Sequence, residues 1–507
     1  MKVAFFVIPT LLFCVLGCEV ETEGEGQLRV APGESDSDSD EGMDDAGESE
    51  TGEEPEPTAL RIVLGGDGSQ FVGNTLNAFA GGNYDGMLVS IYIDPVSSHY
   101  EWRRFHGGAK NDDIRDLDID ANGRICGSGW TTSVNLPVTV NAPQSAFGGG
   151  TRDLFVGCWS AEGSLQYSTY LGGKLAELTD TALTLSADGT PLVTGSTLSV
   201  NLATTATALQ GAAPAGANGL VFDYGPTGVI NWGSYLGGAG TDSVGLHSDL
   251  GPNDEVWMIG TSDSADFPVT DGSLLEGGLD SVVARISANG ATLELATLLG
   301  GSAGDYGKAI VALPDGTAIT CGNTYSEDFP VSLGAVQTMH GSQQQEPNYD
   351  VVLSHLDSDG SVLAATYLGG EGFDVCSFID VDGEGNVYVA GWTDDVLDFP
   401  LTTDQSVFGA FDPNSQVGFL AKLDPELEVL EYAVRTRSAR GMDVLDDGRV
   451  VLLAPENPGL AVTSNAIVGE TGNALVVLEA DGLTPEYAGY VMGEGMGVKV
   501  LRARALP

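Results

Sequence analysis

The sequence predicts an all-β fold: a single β-propeller of seven blades, each of four antiparallel strands, closed by N- and C-terminal strands that share a blade. Three observations lead there. A long motif recurs through most of the chain, the composition favours short strands and tight turns, and the two ends of the repeat region are complementary fragments of one unit.

The recurrence is most visible in a phrase ending in a glycine pair. It reads Phe105-His106-Gly107-Gly108, Tyr170-Leu171-Gly172-Gly173, Tyr235-Leu236-Gly237-Gly238, Leu298-Leu299-Gly300-Gly301 and Tyr367-Leu368-Gly369-Gly370, in steps of 65, 65, 63 and 69 residues. Fixed self-similarity of this kind marks a repeat architecture. An aspartate four residues past the pair (Asp112, Asp242, Asp305, Asp374) precedes a short apolar-rich strand, and a turn such as DANG at 120–123 or DGEGN at 382–386 follows. A second strand ends in a phrase such as AGWTDD (390–395) or IGTSDS (259–264). Next comes a loop with Asp266-Phe267-Pro268, Asp328-Phe329-Pro330, Asp398-Phe399-Pro400 or the related Asn135-Leu136-Pro137. Two alternating strands joined by a hairpin, as at 280–301, complete the unit. Four strands with turn chemistry between them make one twisted antiparallel sheet, and such sheets repeated about an axis make a propeller.

Five units begin at the glycine pairs, and a sixth, degenerate one begins near 436: Met442 to Leu453 reads as a hairpin and Asn473 to Tyr490 as an outer pair. The stretch 492–507 looks like the start of a unit, and Leu60 to Trp102 looks like the rest of a unit without its first strand. Joined, they form the seventh blade and remove the open sheet edges that a gap would leave.

The combination of Tyr-Leu-Gly-Gly-x-Gly-x-Asp, the stretch Gly385 to Gly391 and Asp-Phe-Pro resembles the SBBP repeat, a bacterial β-propeller repeat family. The resemblance runs over about 58 to 507 and is strongest from 235 to 424. It implies an extracellular or surface propeller and no single activity.

Composition agrees: 71 glycines, 18% charged residues and 7% aromatics suit strands and turns rather than helices. The net charge of -52, with 20 Lys plus Arg, excludes a nucleic-acid partner, because binding a phosphate backbone needs clustered cations. Such a surface repels like-charged neighbours and attracts cations.

Ahead of the repeats, Met1-Lys2 and the apolar run Val3 to Leu16 read as a signal peptide, too short for a comfortable membrane span. The run ends in Leu16-Gly17-Cys18, which resembles a lipobox, so residues 1–17 are expected to be a lipoprotein signal peptide and Cys18 the lipid anchor. Stable anchoring takes more than one acyl chain. Residues 18–57 hold sixteen acidic residues and one basic one, Arg29; they read as a disordered tether, and 58–507 as the propeller. The expected location is the cell envelope, outside the cytoplasm, on the outer membrane or cell surface. Cys126, Cys158, Cys321 and Cys376 match no zinc pattern. In an oxidising compartment a bridge between Cys126 and Cys158, on neighbouring strands of one blade, is conceivable.

Asp112, Asp242, Asp305 and Asp374 are the candidate metal residues. If they open the innermost strands, their carboxylates ring one mouth of the channel and suit Ca2+, which takes six to eight oxygens. The competing reading is that each caps the turn after its glycine pair. The second unit departs from the spacing, with Lys174 and Glu177 ahead of Asp180. Asp118, Asp120 and Asn122 open like an EF-hand loop but reach Gly129 where a glutamate is needed, so they read as a turn. The Asp-Phe-Pro loops are expected to pin blade to blade through a buried Phe. His247 is placed as a core strand residue and His355 on a solvated outer strand. No catalytic residue is assigned: no nucleophile elbow, zinc-protease helix or phosphate loop occurs.

The expected function is a non-catalytic cell-surface lipoprotein, a monomeric propeller scaffold or binding module for a surface protein, a polysaccharide or cations. The alternatives are an extracellular glycan-active enzyme using carboxylates, and a structural surface-layer component.

Overall fold

The computed structural model describes residues 59–505 except 69–82, 342–347, 395–397, 404, 407, 410–415, 456–458, 468–471 and 492–495. The signal peptide, Cys18 and the tether lie outside the described residues. Every regular element is a strand, and the strands form seven four-stranded sheets, each antiparallel throughout.

Blade 1 shows the plan: strand a is Asp112–Ile119, b is Ile125–Thr131, c is Asp153–Trp159 and d is Leu165–Leu171. The a strands of blades 2 to 6 are Glu177–Leu185, Asp242–Leu250, Asp305–Ala312, Asp374–Val381 and Gly441–Val444. Blade 7 takes its a strand, Met496–Ala505, from the C-terminus, and b, c and d from Leu60–Gly68, Asp85–Ile93 and Ser98–His106. Leu60 pairs with Ala505 and Val63 with Arg502 in an antiparallel register, so the two ends of the repeat region close the ring. Neighbouring a strands touch one another all the way round, which places them at the axis.

The b and c strands are buried on both sides, as in Ile125–Thr131 and Asp153–Trp159, because blades stack face to face. The d strands begin exposed and end buried, as Leu165–Leu171 does, since they form the rim. Core clusters straddle adjacent blades: Phe267 packs with Val221 and Leu236 of blade 2 and with Val256 and Val282 of blade 3. Phe329 and Phe399 occupy the same kind of position, all three about 5% exposed, so the Asp-Phe-Pro loops join blades through a buried ring.

Two disulfides add to this. Cys126 and Cys158 face each other across strands b and c of blade 1. Cys321 and Cys376, a pairing the sequence did not suggest, link strand b of blade 4 to strand a of blade 5, with Cα atoms 6.3 Å apart.

Candidate functional site: the central channel

The a strands end toward a cavity of about 370 Å³ on the axis. One position per blade, just before the a–b turn, faces it: Asp118, Thr184, Asp249, Val311, Asp380, Asp443 and, from the closing strand, Arg502. The a strands have no ladder partner on their inner edge, so their N–H groups need acceptors. The aspartates supply them across the seam. Asp118 accepts from its own neighbour Ile119 (2.7 Å) and from Leu185 of blade 2 (2.9 Å). Asp249 does so with Leu250 (2.8 Å) and Ala312 (2.9 Å), and Asp380 with Val381 (2.9 Å) and Val444 (2.8 Å). Asp443 accepts from Ala503 of blade 7 at 2.6 Å.

A second tier repeats the device one pleat deeper. Asp116 accepts from Leu117 (2.9 Å) and from Leu183 of blade 2 (2.8 Å). At the matching place in blade 3, His247 Nδ1 takes the N–H of Ile310 at 3.4 Å. His247 therefore lines the channel rather than the core, and burial pushes its pKa down to about 4, which keeps it a neutral acceptor.

Burial raises the channel carboxyls: Asp116 and Asp380 to about 6, Asp249 to about 7 and Asp443 to about 8. Arg502 opposes the rise for Asp116, Asp380 and Asp443. Burial alone would lower the guanidinium, but the carboxylates of Asp116, Asp443, Asp118 and Asp380 outweigh it and hold Arg502 charged. Its nitrogens stand 3.9 Å from Asp116 Oδ1 and 4.0 Å from Asp443 Oδ1. Among the described residues lining this cavity, Arg502 is the one Lys or Arg, set in an acidic well.

The aspartates singled out from the repeat lie elsewhere. Asp112, Asp242, Asp305 and Asp374 open the a strands and are at most 1% exposed. Each accepts the N–H of the second glycine of its pair: Gly108 (2.7 Å), Gly238 (2.7 Å), Gly301 (2.8 Å) and Gly370 (2.7 Å). Hydroxyls add to this, from Thr131 and Ser133 for Asp112 and from Ser262 and Ser264 for Asp242. Each serves its own seam. Among the described residues, no group of three His, Cys, Asp or Glu side chains is placed to hold a metal ion.

Blade 2 keeps the spacing after all, because Glu177 rather than Asp180 fills the place: its Oε1 accepts from Gly173 (3.0 Å) and Thr197 (3.2 Å). The rest of the motif locks the same joint. The Tyr367 hydroxyl donates to Ser326 O (2.7 Å) and accepts from Phe329 N (3.0 Å), and Tyr170 and Tyr235 do likewise with Ser133/Leu136 and Ser199/Leu202. Asp328 and Asp266 cap the glycine loop through the N–H groups of Ser302 and Ala239, both at 2.8 Å. Asp120 forms an Asx turn with Asn122 and Arg124, as expected of a non-EF-hand turn. His355 is a correction: it lies on strand c of blade 4, half-buried and bonded to Pro425 O (3.2 Å) and Thr317 Oγ1 (3.0 Å), because the next blade covers it.

Sequence reasoning missed the channel ring, except for Asp118, which it read only as part of a turn. The available signal was a second recurring aspartate, near the end of four a strands, in Asp118-Ile119, Asp249-Leu250, Asp380-Val381 and Asp443-Val444.

Residues 365–398 match the family model described as SBBP, beta-propeller repeat. No curated protein matches the chain. Among solved structures, the chain is similar to the cobalt-substituted apocarotenoid oxygenase of Synechocystis, at 9% identity, TM-score 0.42, covering 89% of this chain and 93% of that one. It is similar to a protein of unknown function from Dyadobacter fermentans, at 11% identity, TM-score 0.36, covering 83% and 91%. It is also similar to BamB from Moraxella catarrhalis, at 11% identity, TM-score 0.31, covering 76% and 96%.

Proposed function

Starting from a seven-bladed propeller that carries an SBBP beta-propeller repeat, we propose that this protein is a non-catalytic binding module displayed at the cell surface. In this reading Cys18 carries the lipid, the acidic segment up to residue 57 is the spacer, and the ring presents its loops and acidic channel to a partner. The observation behind it is how the recurring polar side chains are used. The seam aspartates, the Tyr hydroxyls and the loop aspartates each hold backbone groups of the fold. The channel, with four aspartates against one arginine at its ring position, selects for cationic groups.

The decisive experiment is a binding screen with residues 58–507 against glycans, surface proteins and cationic peptides. Saturable binding without turnover supports the module; product formation from a glycan overturns it. For the anchor, Cys18→Ala is expected to release the protein from membranes, and retention of that variant would refute a lipid attachment there.

One observation favours a second reading, a glycan-active enzyme. Burial raises Asp380 to about 6 and Asp443 to about 8 in the cavity, with the charge of Asp380 adding to the rise of Asp443, and general acid–base hydrolysis needs one carboxyl protonated and one ionised. Against it, both carboxyls already accept backbone N–H groups of the next blade. Hydrolysis that disappears in Asp443→Asn would establish the enzyme.

A further inference from the structure

Four of the five glycine pairs lie beside two acidic side chains, one opening strand c of its blade and one opening strand a of the next. In three seams these are Asp153 with Glu177, Asp280 with Asp305, and Asp350 with Asp374. All six are at most 1% exposed. The first glycine is needed because both acids crowd it. A Cβ on Gly300 would stand 2.7 Å from Asp305 Oδ2 and 2.8 Å from Asp280 Oδ1, and one on Gly369 2.7 Å from Asp374 Oδ2 and 2.9 Å from Asp350 Oδ1.

One oxygen of each strand-c acid is satisfied: Asp153 Oδ2 accepts from Gly148 N (2.6 Å), Asp280 Oδ2 from Glu276 N (2.7 Å) and Asp350 Oδ2 from Gly341 N (2.6 Å). The other oxygens of the strand-c acids, Asp153 Oδ1, Asp280 Oδ1 and Asp350 Oδ1, are buried without a hydrogen-bond donor, whereas the strand-a acids are met by hydroxyls, Glu177 by Thr197 and Asp305 by Ser326. Buried acceptors turned toward a second carboxyl are costly unless something between them donates. A divalent cation is a poor answer, since calcium wants six to eight oxygens and no metal-holding group occurs among the described residues. A proton is enough, as in dyads where two adjacent carboxylates cannot both ionise.

We propose that these three blade seams are each closed by one proton shared between two carboxyls, so that the ring loosens as the surroundings become alkaline. Burial first, then the like charge opposite, raises Glu177 to about 7, Asp280 to about 7 and Asp350 to about 8; burial raises Asp153 to about 6. Few other ionisable groups face the pairs. Tyr170 and Tyr235 lie near the first, Glu276 and Asp328 near the second, and His340 and Tyr367 near the third. Burial lowers His340, whose Nδ1 is 3.6 Å from Asp350 Oδ1, so it brings no standing charge at neutral pH. The tyrosines are raised and stay neutral.

The fifth seam indicates what substitution the fold accepts: there Asn218 stands opposite Asp242, and its amide nitrogen donates to the loop carbonyls of Pro214 and Gly216. In the seams of Asp153, Asp280 and Asp350 the loop offers an N–H instead, so Asn at 153, 280 or 350 would accept from the loop and donate its amide to the facing carboxylate. The native state carries protons that the unfolded chain, with ordinary carboxyl pKa values, has released. Stability is then full below about pH 4 and is lost as pH rises through about 6 to 8.

The test is urea unfolding of the whole protein, in chelator, at about pH 5 to about pH 9, for wild type, the three single Asn variants and Asp153→Asn/Asp280→Asn/Asp350→Asn. Each shared proton makes the unfolding constant rise about tenfold per pH unit within its window. Each Asn substitution should remove one such factor, with the channel aspartates supplying the remaining slope. Infrared spectra of the native protein at about pH 6 should show a protonated-carboxyl band that shrinks in each single variant. An unchanged pH slope with an unchanged infrared band in the single variants would overturn the proposal.

Discussion

Arg502 is the cation on which the channel balance turns, and Arg502→Met tests that directly. The substitution keeps an unbranched side chain of similar reach in the closing strand and removes only the charge. At 3.9 and 4.0 Å from Asp116 and Asp443, each pair is worth about 4 kcal/mol of attraction at an effective dielectric near 20. Desolvation offsets much of this, yet removing one partner of a buried pair typically costs about 3 to 5 kcal/mol. The arginine side chain is 27% exposed, which places the expectation near the lower end, about 3 kcal/mol. The pH dependence gives the sharper signature. Arg502 lowers the carboxyls of Asp116, Asp380 and Asp443, so without it their folded pKa values climb further above those of the unfolded chain. Stability is then lost more steeply as pH rises through about 6 to 8, while near pH 4, with the carboxyls neutral, the deficit shrinks. Urea unfolding of wild type and variant at several pH values measures both quantities. A deficit of equal size at all pH values would refute the electrostatic role and leave only packing.

Three further outcomes are expected. Tyr367→Phe removes the bond to Ser326 O and the acceptor for Phe329 N, two buried contacts worth about 2 to 3 kcal/mol together, read by denaturant midpoint at unchanged m-value. Cys321→Ser/Cys376→Ser opens a link across 55 residues, for which chain entropy gives about 4 kcal/mol; equal stability of the variant and the oxidised wild type would show that the link contributes nothing. Ending the chain before Gly493 removes strand a of blade 7 and bares the edge of Leu60–Gly68, so the melting temperature should fall and the protein should associate through that edge. An unchanged melting temperature would refute closure by the C-terminal strand.

Much of the ring was legible because strand periodicity and turn residues are local signals. Turns such as DANG and hairpins such as 280–301 announce themselves within a few residues, and the complementary ends needed only the observation that one fragment lacks what the other supplies. What was not legible depends on neighbours in different blades. Asp249 bonds to Ala312 and Asp380 to Val444, separations of 63 and 64 residues, so their role appears only once adjacent a strands are in register. The Cys321–Cys376 link, at 55, is hidden for the same reason. His355 reads as solvated from its place in the strand pattern, yet Pro425 from the next blade covers it. Glu177 was obscured by residue type: one extra methylene still lets it reach Gly173 N.

The contrast between seam and channel bears on where selectivity can reside. In the seams, the same few side chains repeat with the same partners: Asp or Glu on a glycine N–H, Tyr on a loop carbonyl, Phe in the groove between blades. A position that repeats because every joint needs it cannot distinguish one face of the ring from another. The channel ring breaks the symmetry: Asp, Thr, Asp, Val, Asp, Asp and Arg in blades 1 to 7. The breaks are not random with respect to hydrogen bonding. Where Thr184 and Val311 offer no carboxylate to the next blade, the N–H groups of Leu250 and Val381 are taken instead by Asp249 and Asp380 beside them in sequence. Backbone satisfaction therefore constrains which blades can lose an aspartate, and the ring positions form an acidic arc over blades 5 and 6, next to Arg502 of blade 7. Under the proposed binding role, a ligand that enters this channel meets that arc, which favours a cationic group over a neutral one of the same shape.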